Sequence, residues 1–154
     1  MLTKIISGGQ TGADQGGLRA GKLLALDTGG TAPPGWITDT GKAQILLCNY
    51  GLVEGAPDPR KFPKRTKRNI LDSDGTVIFG NVQSPGSRLT ASLCYKENKP
   101  CIVNPTIANF RQWIIDEGVK VLNVAGNRER KNPGISNKVT SFLVEALSAY
   151  RQGR

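Results

Sequence analysis

The stretch KIISGGQTGADQGGLRAGKLLAL, residues 4–26, constrains this chain more than any other. Ile5 and Ile6 form a β-branched run that stops at Ser7, Gly8 and Gly9, and helical spacing sets in after Gly12. Strand, glycine turn and helix in that order make the first half of a βαβ unit. Thr11 and Asp14 stand in the Ser/Thr-x-x-Asp/Glu relation, which predicts a capping box starting the helix near Gly12. A helix that begins just past a strand end presents unpaired N–H groups and the positive end of its dipole, and glycines let a phosphate approach that backbone. The order therefore predicts an anion site for a phosphorylated ligand, built from Gly8, Gly9, Gln10, Thr11 and Gly12. The competing reading is a tight turn whose glycines serve only the packing of helix on strand.

Two nucleotide fingerprints are tested by the same residues. Ser7, Gly9 and Gly12 have the G-x-G-x-x-G spacing with Ser in the first place, but no Asp or Glu ends the next strand candidate (29–32) to read a ribose. Classical dinucleotide binding is disfavoured on that count. No G-x-x-x-x-G-K-S/T run is present, which excludes a P-loop NTPase.

Further along, strands and helices alternate. A short strand near 28–32 must end at Pro33 and Pro34. Residues 37–62 resist assignment: AQILLC (43–48) reads as a strand or hairpin arm and 54–63 as irregular, an excursion suited to covering a ligand or a subunit contact. Residues 64–74 read as a basic helix with Ile70 and Leu71 inward, and TVIF (76–79) as a strand buried on both faces. GNVQSPGSRLT (80–90) is a second strand–glycine–helix junction, its helix reaching 99 before Pro100. Strands near 100–104 and 119–126 flank a helix over 107–118, and an amphipathic helix with Ile135, Val139, Phe142, Leu143 and Leu147 closes the chain. The pattern predicts an α/β fold, a three-layer Rossmann-like open sheet of about five parallel strands with helices on both faces. The favoured order, 2-1-3-4-5, sets 4–7 beside 76–79 and makes the two glycine junctions face each other across one crevice.

At 154 residues the natural count is one domain, 1–154. The N-terminus lacks a signal-peptide core and no apolar run approaches about 18 residues, so a cytoplasmic chain with no membrane partner is expected. Scattered Cys48, Cys94 and Cys101 fit reduced thiols, and with no His a structural zinc or a catalytic triad is disfavoured. The net charge of +9, concentrated in 60–68, 128–131, Arg151 and Arg154, attracts anions. With only 6% aromatic residues and no stacking cluster, nucleic acid is disfavoured as the partner.

SGGQTGADQGGL, the set Arg65, Thr66, Asn69, Asp72, Ser73 and Asp74, the SPGSRLT junction and LNVAG…NPGI occur in one order along nearly the whole chain. Together they resemble the molybdenum cofactor carrier family, itself similar to Rossmann-like nucleotide sensors and to the cytokinin-activating phosphoribohydrolases long mislabelled as lysine decarboxylases. The resemblance implies an α/β fold, a pocket for a phosphorylated or pterin-type ligand such as molybdenum cofactor or a nucleotide, and a homo-oligomer, dimer or tetramer. The phosphoribohydrolases carry P-G-G-x-G-T-x-x-E, whose glutamate serves glycosidic cleavage. Counted from Pro85 and Thr90 the place of that glutamate falls at Leu93, beside Ser92, and neither is a carboxylate, so nucleotide hydrolysis is the alternative and binding without turnover the leading expectation.

Beside the first loop, Gly86, Ser87 and Thr90 are candidates to clamp a second phosphate, with helix capping as their plain role. Arg65 is a candidate to neutralise a phosphate, against a solvated helix face. Asp14, or Glu97, would have to supply any catalytic carboxylate, and Asp14 would repel a bound phosphate unless Mg²⁺ intervened. Asp72 and Asp74 are expected to brace the strand entry, and Trp36 and Trp113 to sit in the core. No catalytic residue and no metal ligand is assigned.

Overall fold

The computed structural model describes residues 1–57 and 63–152. Six parallel strands form the central sheet: β1 (Lys4–Ile6), β2 (Asp27–Ala32), β5 (Leu52–Glu54), β6 (Gly75–Phe79), β7 (Cys101–Val103) and β8 (Val121–Gly126). Two short strands, β3 (Ile37–Thr38) and β4 (Gly41–Lys42), make a separate antiparallel hairpin. The helices are α1 (Ala13–Leu23), α2 (Gln44–Asn49), α3 (Pro63–Leu71), α4 (Pro85–Lys96), α5 (Ile107–Asp116) and α6 (Ile135–Gln152). Among the described residues no helix is long and apolar enough to cross a membrane.

The class is as the alternation of elements predicts. The strand count and order are corrected. The sheet runs β5-β2-β1-β8-β6-β7, so the last strand in sequence lies between the two that were expected to touch. Ile5 pairs with Leu122 on that side, and Val77 pairs with Val124 on the other. Packing accounts for the insertion. Gly17 of α1 lies on Val124, where a Cβ would come within 2.7 Å of the valine Cβ, and Thr140 Oγ1 of α6 donates to Gly16 O at 2.8 Å. The glycine pair thus lets α1 rest on β8 and α6 at once. Phe110, Ile114, Val139, Leu143 and Leu147 fill the layer between these helices and the sheet. Ile70, Leu93 and Cys94 fill a second layer between α3, α4 and the sheet.

AQILLC forms α2 and not a strand, with Leu47 its one buried residue and Ile45 82% exposed. Trp36, Ala32, Leu47, Leu52 and Leu18 make a third small core at the β2–β5 edge. The irregular assignment of 54–63 and the basic run 60–68 fall partly on residues 58–62, outside the described ones. Asp74 does brace a strand entry: its Oδ2 accepts from the N–H groups of Lys120 (3.0 Å) and Val121 (2.8 Å).

Candidate functional site

The β1–α1 junction is built differently from the capping box that its sequence suggests. Asp14 turns back over the loop, where its Oδ2 accepts from the Gln10 N–H at 3.2 Å and its carboxylate also accepts from the Gly8 amide. Gln10 Oε1 accepts from the Thr11 N–H at 2.9 Å, and Ser7 Oγ from the Gly9 N–H at 3.2 Å. Four of the five amides expected to face a phosphate are therefore engaged inside the protein. Gly9 faces Leu47 and Leu52, and Gly8 faces the Arg65 guanidinium. Gly12 takes φ +87 and abuts the backbone of 127–129, where a Cβ would lie 2.6 Å from the Glu129 nitrogen. These three glycines meet the packing need of the turn.

Burial pushes the Asp14 carboxyl up to about 6, against the pull of the Arg65 guanidinium, the loop amides and Arg128. Desolvation likewise lowers the Arg65 pKa, with Asp14 opposing. The result is a half-buried carboxylate and a guanidinium side by side under the hairpin.

That hairpin lies over the loop. Gln10 Oε1 also accepts from the Asp39 N–H at 2.9 Å. The Asp39 carboxylate pairs with Arg128 at 2.9 Å and lies 3.9 Å from Arg130. The part of the unassigned excursion that 37–42 represents is thus a cover, and Asp39 divides two clefts. The smaller, about 210 Å³, is walled by Gln10, Pro33, Pro34, Ile37, Arg65 and Arg128. The larger, about 590 Å³, is bordered by Thr11, Gly12, Gln15, Arg19, Glu129 and Arg130.

Thr11 distinguishes the two clefts. Its Oγ1 is buried without a hydrogen-bond partner on the wall of the larger cleft, at the start of α1. Neither the Gly12 nor the Asp14 N–H has a partner within the described residues. The neighbouring start of α6 is already filled: Glu129 accepts from the Gly134 N–H at 2.6 Å and the Ser136 N–H at 3.1 Å, and these bonds lower its pKa.

The second junction is joined to the first through Asn127, whose carbonyl accepts from the Ala13 N–H at 3.0 Å. Asn127 fills the gap between β8 and β6, accepting at Oδ1 from the Asn81 N–H (2.6 Å) and donating from Nδ2 to Asn81 O (3.0 Å) and Ser84 Oγ (3.1 Å). No α4 residue lines either of these two clefts. Gly86 is exposed, Thr90 Oγ1 donates to Gly86 O at 3.0 Å, and Ser87 Oγ is buried with no partner. Ser92 is exposed on α4, and Glu97 pairs with Lys67 at 3.3 Å at the opposite end of that helix from Ser87. Among the described residues no three His, Cys, Asp or Glu cluster as metal ligands. Asp39, Arg128 and Arg130 were missed as site residues. The signal available was the basic loop at a third strand end, with nothing in the sequence to pair it with a hairpin tip.

Residues 5–147 match the model of the family described as "Circularly permutated YpsA SLOG family". The chain belongs to that family. It is similar over 94% of both chains, at 34% identity and a TM-score of 0.81, to the crystal structure of a "Putative molybdenum carrier protein" from Syntrophus aciditrophicus SB. No curated protein matches it. The family's description also bears on the corrected strand order. If β8 is counted first, the strands from β8 to β5 follow one another outward without interruption, and β6 and β7 continue on the other side. The reversal point of the order then falls between β8 and β6, where open α/β sheets place ligands. In this family member Asn127 occupies that point, and the clefts lie to one side of it.

Proposed function

We propose that this chain binds a small molecule through an oxyanion, either the phosphate of a cofactor such as molybdenum cofactor or of a nucleotide, and carries it without chemical change. The observation that carries the reading is the partnerless Thr11 hydroxyl on the wall of the larger cleft. A buried hydroxyl left unpaired is costly, and an oxyanion at the start of α1 satisfies it together with the Gly12 and Asp14 amides. Arg19 and Arg130 border the same cleft, and its volume lies in the range that small-molecule sites occupy. The similar protein's name supports a molybdenum-containing cargo. Arg65 acts one step away, by holding Asp14. The carrier reading is favoured over hydrolysis because Asp14, the carboxyl nearest this junction, is held by Arg65 and two loop amides.

Titration calorimetry with inorganic phosphate, molybdate, nucleoside monophosphates and a phosphorylated pterin tests this in the intact chain and in Thr11→Val. The expected result is binding weakened about tenfold or more by the substitution, with no product formed. Equal affinity in Thr11→Val refutes the placement of the site. Release of free base from a nucleotide reverses the choice in favour of hydrolysis.

A further inference from the structure

Outside the clefts, the buried polar groups of the sheet lead to one more site. Thr76, fully buried in β6, accepts at Oγ1 from Asn123 Nδ2 of β8 at 3.2 Å. With its lone pair so used, the threonine hydroxyl hydrogen goes to the Cys94 sulfur of α4. Cys101, at the start of β7 and paired in register with Thr76, packs against the buried cluster of Ile70, Leu93 and Cys94 and shares a thiol hydrogen bond with Cys94. The Lys99 N–H donates to Cys94 O at 2.9 Å, which folds the chain back so that the two cysteines meet. Cys94 is 1% exposed in the layer formed by Ile70 and Leu93, while Cys101 is half-buried and reachable from solvent.

We propose that Cys94 and Cys101 form a reversible dithiol–disulfide site, oxidised by a small-molecule disulfide. The proton that the pair shares rests on Cys94 in a minor fraction of molecules, and in these the solvent-facing Cys101 thiolate attacks one sulfur of the reagent. A mixed disulfide forms, the reagent's S–S bond breaks, and its first half leaves as a thiol with the proton from Cys101. Cys94 then attacks the Cys101 sulfur. The Cys94–Cys101 bond forms, the mixed bond breaks, and the second half leaves with the Cys94 proton. The protein dithiol loses two electrons and the reagent gains them.

The hydrogen bonds favour this chemistry. Cys101 and the Thr76 hydroxyl hold the Cys94 thiol down at about 7 against burial, while Cys101 is pushed up as the partner that keeps the proton. The pair therefore gives up its first proton more readily than an isolated buried thiol would and shares the second. No charged side chain is among these hydrogen-bond partners. The groups facing the pair are Thr76 from β6, with Asn123 of β8 behind it, and the apolar Ile70 of α3.

Cys48 is exposed on α2 and would react independently, so the test uses the full chain with Cys48→Ser. After incubation with oxidised glutathione, intact mass and peptide mapping should show an internal disulfide joining the peptides of Cys94 and Cys101, reversed by reduced glutathione. Cys94→Ser in the same background should stop at a glutathione adduct on Cys101. Two free thiols, or an adduct persisting on Cys101 with Cys94 intact, overturns the proposal. A second measurement does not depend on the serine variant folding: Thr76→Val should move the pH midpoint of iodoacetamide labelling at the pair upward, and an unmoved midpoint refutes the role of the hydroxyl.

Discussion

The chain contains two junctions of one design, strand then glycine turn then helix, and the structure treats them in opposite ways. At the start of α1 the glycines are wedged. Gly12 abuts the backbone of 127–129, Gly9 meets Leu47 and Leu52, and Asp14 closes over the loop amides. At the start of α4, Gly86 has nothing within 4 Å of where its Cβ would lie. Both leave one buried hydroxyl without a partner, Thr11 in the first and Ser87 in the second. The difference teaches that a glycine turn does not by itself report a ligand. What points to one is an unsatisfied polar atom on the wall of a cleft, and Thr11 borders one of the two clefts while Ser87 borders neither.

The sharpest way to break the comparison is Gly12→Ala. The substitution puts a Cβ into the 127–129 backbone at a φ of +87 that side chains rarely adopt. Unfolding in urea should show a loss of about 3 kcal/mol or more. A loss below about 1 kcal/mol would mean that the wedge is loose and the contrast between the junctions false.

The next effect is pH-dependent and belongs to Asp14. Its folded pKa, about 6, lies above the ordinary carboxyl value of 3.8, so the folded chain holds this proton more tightly than the unfolded chain. The stabilising share is full below about pH 4 and is lost as the pH rises through 6. Asp14→Asn removes that titration. The stability of the parent minus that of Asp14→Asn should therefore fall between pH 4 and 6, by about 1–2 kcal/mol given the carboxyl's partial exposure. A difference flat across that window, measured by chemical denaturation at each pH, would show that burial does not govern this group.

Why the sequence reading reached so far and no further is visible in the same residues. Local signals are carried by neighbours in the chain, and they placed β1, α1, β6, α4, α5 and α6 within a few residues. Strand order is a long-range property. Nothing local in VLNVAG says that it will lie between Ile5 and Val77, and the decisive contacts, Gly16 and Gly17 against α6 and β8, look like ordinary helix glycines. AQILLC, expected as a strand or hairpin arm, buries only Leu47, which suits a short surface helix better than a sheet position. At the candidate site, Thr11 and Gly12 could be named from the glycine motif and Arg65 from the basic segment 64–74. Asp39 and Arg128 could not, since 89 positions of sequence separate the two ends of their ion pair.

The smallest effect separates the two hydroxyls. Ser87→Ala removes a buried oxygen that has no partner, so stability should hold or rise by up to about 1 kcal/mol in thermal unfolding. Gly86→Ala, at an open helical position beside it, should add about 0.5 kcal/mol in the same direction. Neither residue lines a cleft, so phosphate affinity measured by calorimetry should stay unchanged in Ser87→Ala while it drops in Thr11→Val. If Ser87→Ala loses affinity instead, the open junction is the one that holds the anion. Asp14 then has a plain meaning: it is the closed junction's own carboxylate, sitting where a phosphate would otherwise go.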